Sequence, residues 1–249
     1  MKVLKRKKLA IWLSSIVLAI TLFAGGVTMY VSDYYRADIE AIKAFSVDGN
    51  VEKTEIKKGV VAYGNEDAKY GIIFYPGGQV EHTAYEPLMR QLASKGALCI
   101  LVKMPFNLAV LDMNAADGLC EKYPNITSWY MAGHSLGGSM AASYIAKNTE
   151  NFKGLILLAA YSTSDISESG LRVLSMYGSE DTVMNKEKYD ECKKNLPAAA
   201  IEVKLKGGCH AYFGMYGEQE GDGAPTISNT EQIKKASDHI TKFIKEGEK

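Results

Sequence analysis

The chain has 249 residues, with 29 basic and 29 acidic side chains, 47% hydrophobic and 23% charged. That composition supplies a real core and excludes a disordered polymer, and six prolines without a glycine period exclude collagen-like or proline-rich architecture. The balanced charge hides an asymmetry. Lys2, Lys5, Arg6, Lys7 and Lys8 precede any acid, so 24 basic residues face 29 acidic ones beyond residue 31. A mildly acidic body does not suit nucleic acid phosphates, and no nucleic acid partner is expected.

Residues 9–31 (LAIWLSSIVLAITLFAGGVTMYV) carry no charge. At ~1.5 Å of rise per residue, a helix of that length covers a hydrocarbon core of ~30 Å. Trp12 and Tyr30 lie near its two ends, where an aromatic belt belongs. The expected organisation is a basic cytoplasmic tail at 1–8, a single-pass membrane anchor at 9–31 and a body at 32–249 outside the cytoplasm. The competing reading is a signal peptide cleaved near the small residues Ala24 and Gly26, which would release the body. The run exceeds the ~7–15 residues of a signal core, which favours the anchor. No cysteine lies nearby, so a lipoprotein signal is excluded. The cysteines, Cys99, Cys120, Cys192 and Cys209, form no C-x-x-C pair. Zinc and thioredoxin-like readings therefore fail, four free thiols are expected, and neither metal nor cofactor is expected.

The body alternates strand and helix. Residues 33–45 read as a helix leaving the membrane, and a β-rich patch at 58–63 as an edge hairpin. The apolar run YGIIFY at 70–75, ended by Pro76-Gly77-Gly78, reads as a strand buried on both faces. A helix follows at 84–95, stopped by Gly96, then a strand at 97–103 and a helix around 111–122. Strands are expected at 129–132, 152–161, 171–177 and 201–206, with helices at 136–147, 186–195 and 230–245. Such alternation predicts a single α/β domain, a mostly parallel sheet with helices on both faces.

Between the strand at 129–132 and the helix at 136–147 stands Gly133-His134-Ser135-Leu136-Gly137, a G-x-S-x-G pattern. The five residues alone are weak evidence, because a serine capping a helix after a glycine turn looks the same. The strand–turn–helix context is what a nucleophile elbow needs. A serine nucleophile requires a base, and the base an orienting acid. After the fifth buried strand comes Tyr177-Gly178-Ser179-Glu180-Asp181, and after the sixth Gly207-Gly208-Cys209-His210. Asp181 is preferred as acid over Glu180 and Asp165. His210 is preferred as base over His134, which should point away from the serine, over His82, which precedes it, and over His239 on the last helix.

An acyl enzyme also needs an oxyanion hole. One donor is the amide after the nucleophile, Leu136; the other is Gly78 or Gln79 in the loop after the first buried strand. That loop lacks the lysine and spacing of nucleotide-binding glycine motifs. Only residues 162–171 join the fourth and fifth buried strands, which leaves no room for a helical lid. The loop after His210 brings Tyr212, Phe213, Tyr216, Gln219 and Asp222, either as a wall of the substrate pocket or as a packed loop holding His210.

Four motifs together resemble the α/β-hydrolase superfamily, and within it the small bacterial group called the fold-5 hydrolases. They are Y-P-G-G-x-V at 75–80, G-H-S-L-G-G at 133–138, Y-G-S-x-D at 177–181 and GGCHAYFGMYGEQEGDG at 207–223. The resemblance spans about residues 35–246, and the last motif is the specific one. Dienelactone hydrolases are similar at a greater distance but use a cysteine nucleophile; the serine here argues against their activity. The resemblance implies serine hydrolase chemistry on a carboxylic ester or related acyl compound of small to moderate size. Its rivals are acyl transfer through the same acyl enzyme and a non-catalytic binding module on the same fold.

Overall fold

In a computed structural model of the protein, residues 2–248 are described, with side chains from Trp12 onward. The side chains of the basic tail and of Leu9, Ala10 and Ile11 lie outside that description. The chain forms two compact units, one ending at Tyr34 and the other beginning at Tyr35. The first contains helix α1 (Lys2–Ser32). Its Trp12–Ser32 portion is long and apolar enough to cross a membrane and buries none of its residues within the protein, a description that a membrane span and a signal sequence both satisfy.

The second unit is an α/β domain. Its strands are β1 (Lys53–Lys57), β2 (Val60–Tyr63), β3 (Tyr70–Tyr75), β4 (Ala97–Val102), β5 (Ser128–His134), β6 (Gly154–Leu158), β7 (Arg172–Gly178) and β8 (Ile201–Leu205). Among the described residues they form one sheet in the order β1-β2-β4-β3-β5-β6-β7-β8. From β4 to β8 all neighbours are parallel; only β2 runs against the others, pairing antiparallel with both β1 and β4. The helices are α2 (Ile39–Ala44), α3 (Glu86–Ala93), α4 (Leu136–Ile145), α5 (Lys186–Cys192) and α6 (Asn229–Gly247).

The continuous apolar runs make sense because both sheet faces are covered. Successive side chains point to opposite faces. On β3, Ile72 and Phe74 join a core that includes Leu88 and Leu92 of α3 and Ile233, Ile240 and Phe243 of α6. Ile73 and Tyr75 join the other core, with Ala141, Ala142 and Ile145 of α4. The six predicted strands form at their predicted places, displaced by a few residues at their ends, and all but the mostly exposed β8 are buried.

Two predicted helices do not form as expected. Residues 111–122 hold only single 3₁₀ turns, at Ala109–Leu111 and Cys120–Lys122. Asp112, Asn114 and Asp117 favour turns there, and Gly118 takes φ +71°. In 33–45 only Ile39–Ala44 is helical. Asp38 caps it, its Oδ1 accepting from the Ala41 N–H at 3.0 Å. Upstream, Tyr35 is extended: its N–H donates to the Gln79 carbonyl at 2.7 Å and its carbonyl accepts from the Glu81 N–H at 2.9 Å. That pairing takes the backbone groups a longer helix would use.

Candidate active site

The candidate site lies at the carboxyl end of the parallel strands, the end at which open α/β sheets bind ligands. Ser135 follows β5 directly and precedes α4, with φ 51° and ψ −125°. Its N–H donates to the Leu158 carbonyl at the end of β6, at 2.9 Å. The turn is possible because its neighbours lack side chains. A Cβ on Gly133 would lie 2.6 Å from the Gly137 carbonyl carbon, and one on Gly137 would lie 2.1 Å from the Pro76 carbonyl oxygen. The half-buried serine therefore sits in a strained turn at the amino end of a helix.

The strain is not isolated. Among the described residues, the non-glycine positions with positive φ are Gln79, Phe106, Asn107, Ser135 and Ala159. They follow β3, β4, β5 and β6, all on the same end of the sheet. Such conformations cost about 1–3 kcal/mol each and gather at functional sites.

Asp181 and His210 are brought together at this end. His210 Nδ1 lies 2.9 Å from Asp181 Oδ2, with both side chains buried. The other carboxylate oxygen, Oδ1, accepts from the Val183 N–H at 3.0 Å and the Met184 N–H at 2.9 Å. The carboxylate is thus fixed from both sides, as a buried charge requires. The backbone around His210 is equally held. Gln232 of α6 clamps Cys209, accepting from its N–H at 2.9 Å and donating to its carbonyl at 2.8 Å. Asp222 accepts from the Ala211 N–H at 2.9 Å. Asp165, the rival acid, is exposed and accepts from the nearby Ser167 N–H at 3.0 Å. His239 is exposed on α6.

Two sequence-predicted assignments change. The Gln79 N–H donates to the Asn107 carbonyl at 2.8 Å, so it is not the free oxyanion donor; the Gly78 amide is not so engaged. Gly78 also faces Leu136, whose Cβ would lie 3.2 Å from a Cβ placed there, so the two remaining candidate residues lie against each other. Phe213 and Tyr216, expected on a pocket wall, are buried instead: Phe213 packs on His134 with ring centroids 5.6 Å apart, and Tyr216 on Tyr35 at 5.6 Å. Large aromatic rings gain more by filling the core than by lining a wet cleft. Tyr212 alone of the three is half-buried, and it lines a 390 Å³ cavity with Cys209, Gln219 and Asp222. The connection from β6 to β7 contains no helix.

Sequence reasoning set aside His134 and never singled out Tyr85. His134 is 1% exposed, its ring centroid 4.6 Å from that of His210. Tyr85 Oη lies 2.7 Å from its Nδ1. Burial first, and then the neighbouring His210, holds its pKa well below the usual imidazole value. The one signal in the sequence was its place next to Ser135; nothing pointed to Tyr85, which lies far upstream. All four cysteines are free, Cys99 and Cys209 buried. Among the described residues no three His, Cys, Asp or Glu side chains converge to hold a metal ion.

A model of the alpha/beta hydrolase family matches residues 71–234. No curated protein matches the sequence. Solved structures share the fold at low identity. TT1662 from Thermus thermophilus superposes with a TM-score of 0.59 and 12% identity over 80% of this chain and 98% of its own. Est1E from Butyrivibrio proteoclasticus gives 0.54 and 14%, covering 80% and 99%. A predicted CIB-like hydrolase from Thermoplasma acidophilum gives 0.54 and 13%, covering 78% and 99%.

Proposed function

Because the chain belongs to the alpha/beta hydrolase family, we propose that it is a serine hydrolase in which Ser135 forms an acyl enzyme, His210 is the base and Asp181 orients that base. The observation that carries this reading is the buried Asp181–His210 pair at the same sheet end as the strained Ser135 turn. Asp181 engages Nδ1, which leaves Nε2 as the nitrogen to take the Ser135 proton. Oγ attacks the acyl carbon, and the tetrahedral oxyanion accepts from the Leu136 and Gly78 N–H groups. Collapse expels the alcohol, protonated by His210. Water then attacks the acyl enzyme with His210 again as base, releasing the acid and restoring the serine.

The substrate is a carboxylic ester or related acyl compound of small to moderate size. The helix-free connection between β6 and β7 carries no lid, and two of the three expected aromatic wall residues are in the core. Each buried methylene is worth ~0.8 kcal/mol only while apolar wall remains to cover it. On p-nitrophenyl esters, kcat/KM should peak between acetyl and butyryl and show no jump above the solubility limit; Ser135→Ala should abolish turnover. A maximum at long acyl chains with interfacial activation would contradict the substrate reading. Esterase activity retained in Ser135→Ala would remove the nucleophile.

A further inference from the structure

We propose that Tyr85 and His134 are positioning residues that set the oxyanion loop against the nucleophile; this deepens, and rests on, the serine hydrolase reading. The Gly77 N–H donates to Tyr85 Oη at 3.1 Å, and the Tyr85 hydroxyl lies 2.7 Å from His134 Nδ1. The hydroxyl has a single proton. Its oxygen can accept from Gly77 and still either give that proton to Nδ1 or accept from an Nδ1–H; with the His134 proton on Nε2, the donors run one way from loop to hydroxyl to imidazole.

The two ends of this chain are the two parts that must be in register. Gly77 immediately precedes Gly78, the oxyanion donor. His134 is the last residue of β5 and immediately precedes Ser135. The span between them is rigid. Tyr85 is fully buried, with its ring 5.1 Å from Phe74 and 6.4 Å from Tyr216. Gly77 has no room for a side chain, since a Cβ would lie 2.7 Å from Tyr85 Oη and 2.8 Å from His134 Nδ1.

The relay works only with Nδ1 unprotonated. Burial, reinforced by His210, disfavours the protonated His134 ring, and the neutral ring accepts at Nδ1 in the tautomer that carries its proton on Nε2. Burial also keeps the Tyr85 hydroxyl protonated, by pushing its pKa up. Deleting an oxyanion donor costs about 10²–10³ in kcat, and a donor merely displaced should cost less.

The test uses the full chain in detergent micelles with three variants, Tyr85→Phe, His134→Asn and His134→Ala. Tyr85→Phe should lower kcat about tenfold, with KM changed less than about twofold. Affinity for a phenylboronic acid, which becomes a tetrahedral anion on the serine, should fall by the same factor, while affinity for the product alcohol stays constant. His134→Asn, whose amide oxygen can accept where Nδ1 did, should keep several-fold more activity than His134→Ala. A pair serving only the core would give equal losses in Asn and Ala, or leave kcat and boronate affinity unmoved; either result overturns the proposal. If Tyr85→Phe does not fold, the comparison of the two His134 variants decides. A wild-type chain without turnover and without fluorophosphonate labelling would instead sink the serine hydrolase reading itself.

Discussion

Asp181 is the carboxylate whose surroundings do most to single it out. Its side chain is inaccessible, one oxygen holds His210 and the other accepts two amides. Asp165, the alternative that also follows a buried strand, is exposed and only closes its own turn. The acid's role in the proposed mechanism is to fix the histidine tautomer, so exchanging it for an amide leaves the shape and breaks the function. Asp181→Asn should lower kcat by about 10⁴-fold, whereas Asp165→Asn should stay within about twofold of wild type. Steady-state kinetics of the two variants, with circular dichroism to establish folding, compare them directly. The reverse order of losses would move the acid to the end of β6. From sequence, the order serine, aspartate, histidine was legible because each residue sits at a strand end in a glycine turn. The positive φ of Gln79 and the capture of its N–H by Asn107 were not, because they depend on where the loop after β4 lands.

At the scale of elements, the buried strands announced themselves as apolar runs because sheets covered on both faces need them. The connection from β4 to β5 misled for the opposite reason. A helix is expected around 111–122 after the strand at 97–103, but Asp112, Asn114, Asp117 and Gly118 hold it as turns. The end of β5 carries a consequence for stability that the strand pattern does not reveal. His134 is buried there with its pKa held below the ordinary 6.5, chiefly by desolvation. The half-buried His82 is lowered in the same sense, again first by burial. In both cases the unfolded chain binds the proton more readily than the folded one. Folded stability is therefore full above about pH 6.5 and falls as the pH drops below it. Urea midpoints should decline from pH 7 to pH 5, and the decline should be shallower in His134→Asn. An unchanged slope in that variant would show that His134 titrates equally in both states.

At the scale of the whole molecule, an apolar helix of membrane-spanning length stands ahead of a domain that folds as its own compact unit. We propose that the helix is an uncleaved anchor. With the basic cluster before it held in the cytoplasm, that proposal puts the domain outside the cytoplasm. Protease added to intact cells should then remove the domain, while protection until lysis would reverse the topology. Recovery of a free domain starting near residue 27 would mean that the segment is a cleaved signal.

The claim on which the rest depends is that Ser135 is an activated nucleophile. The most direct measurement is the reaction of the folded full-length chain with a fluorophosphonate, followed by peptide mass spectrometry. One equivalent of label on Ser135 is predicted, with none in Ser135→Ala and slow labelling in His210→Ala. A folded chain that takes up no label, or takes it at another residue, would contradict the account.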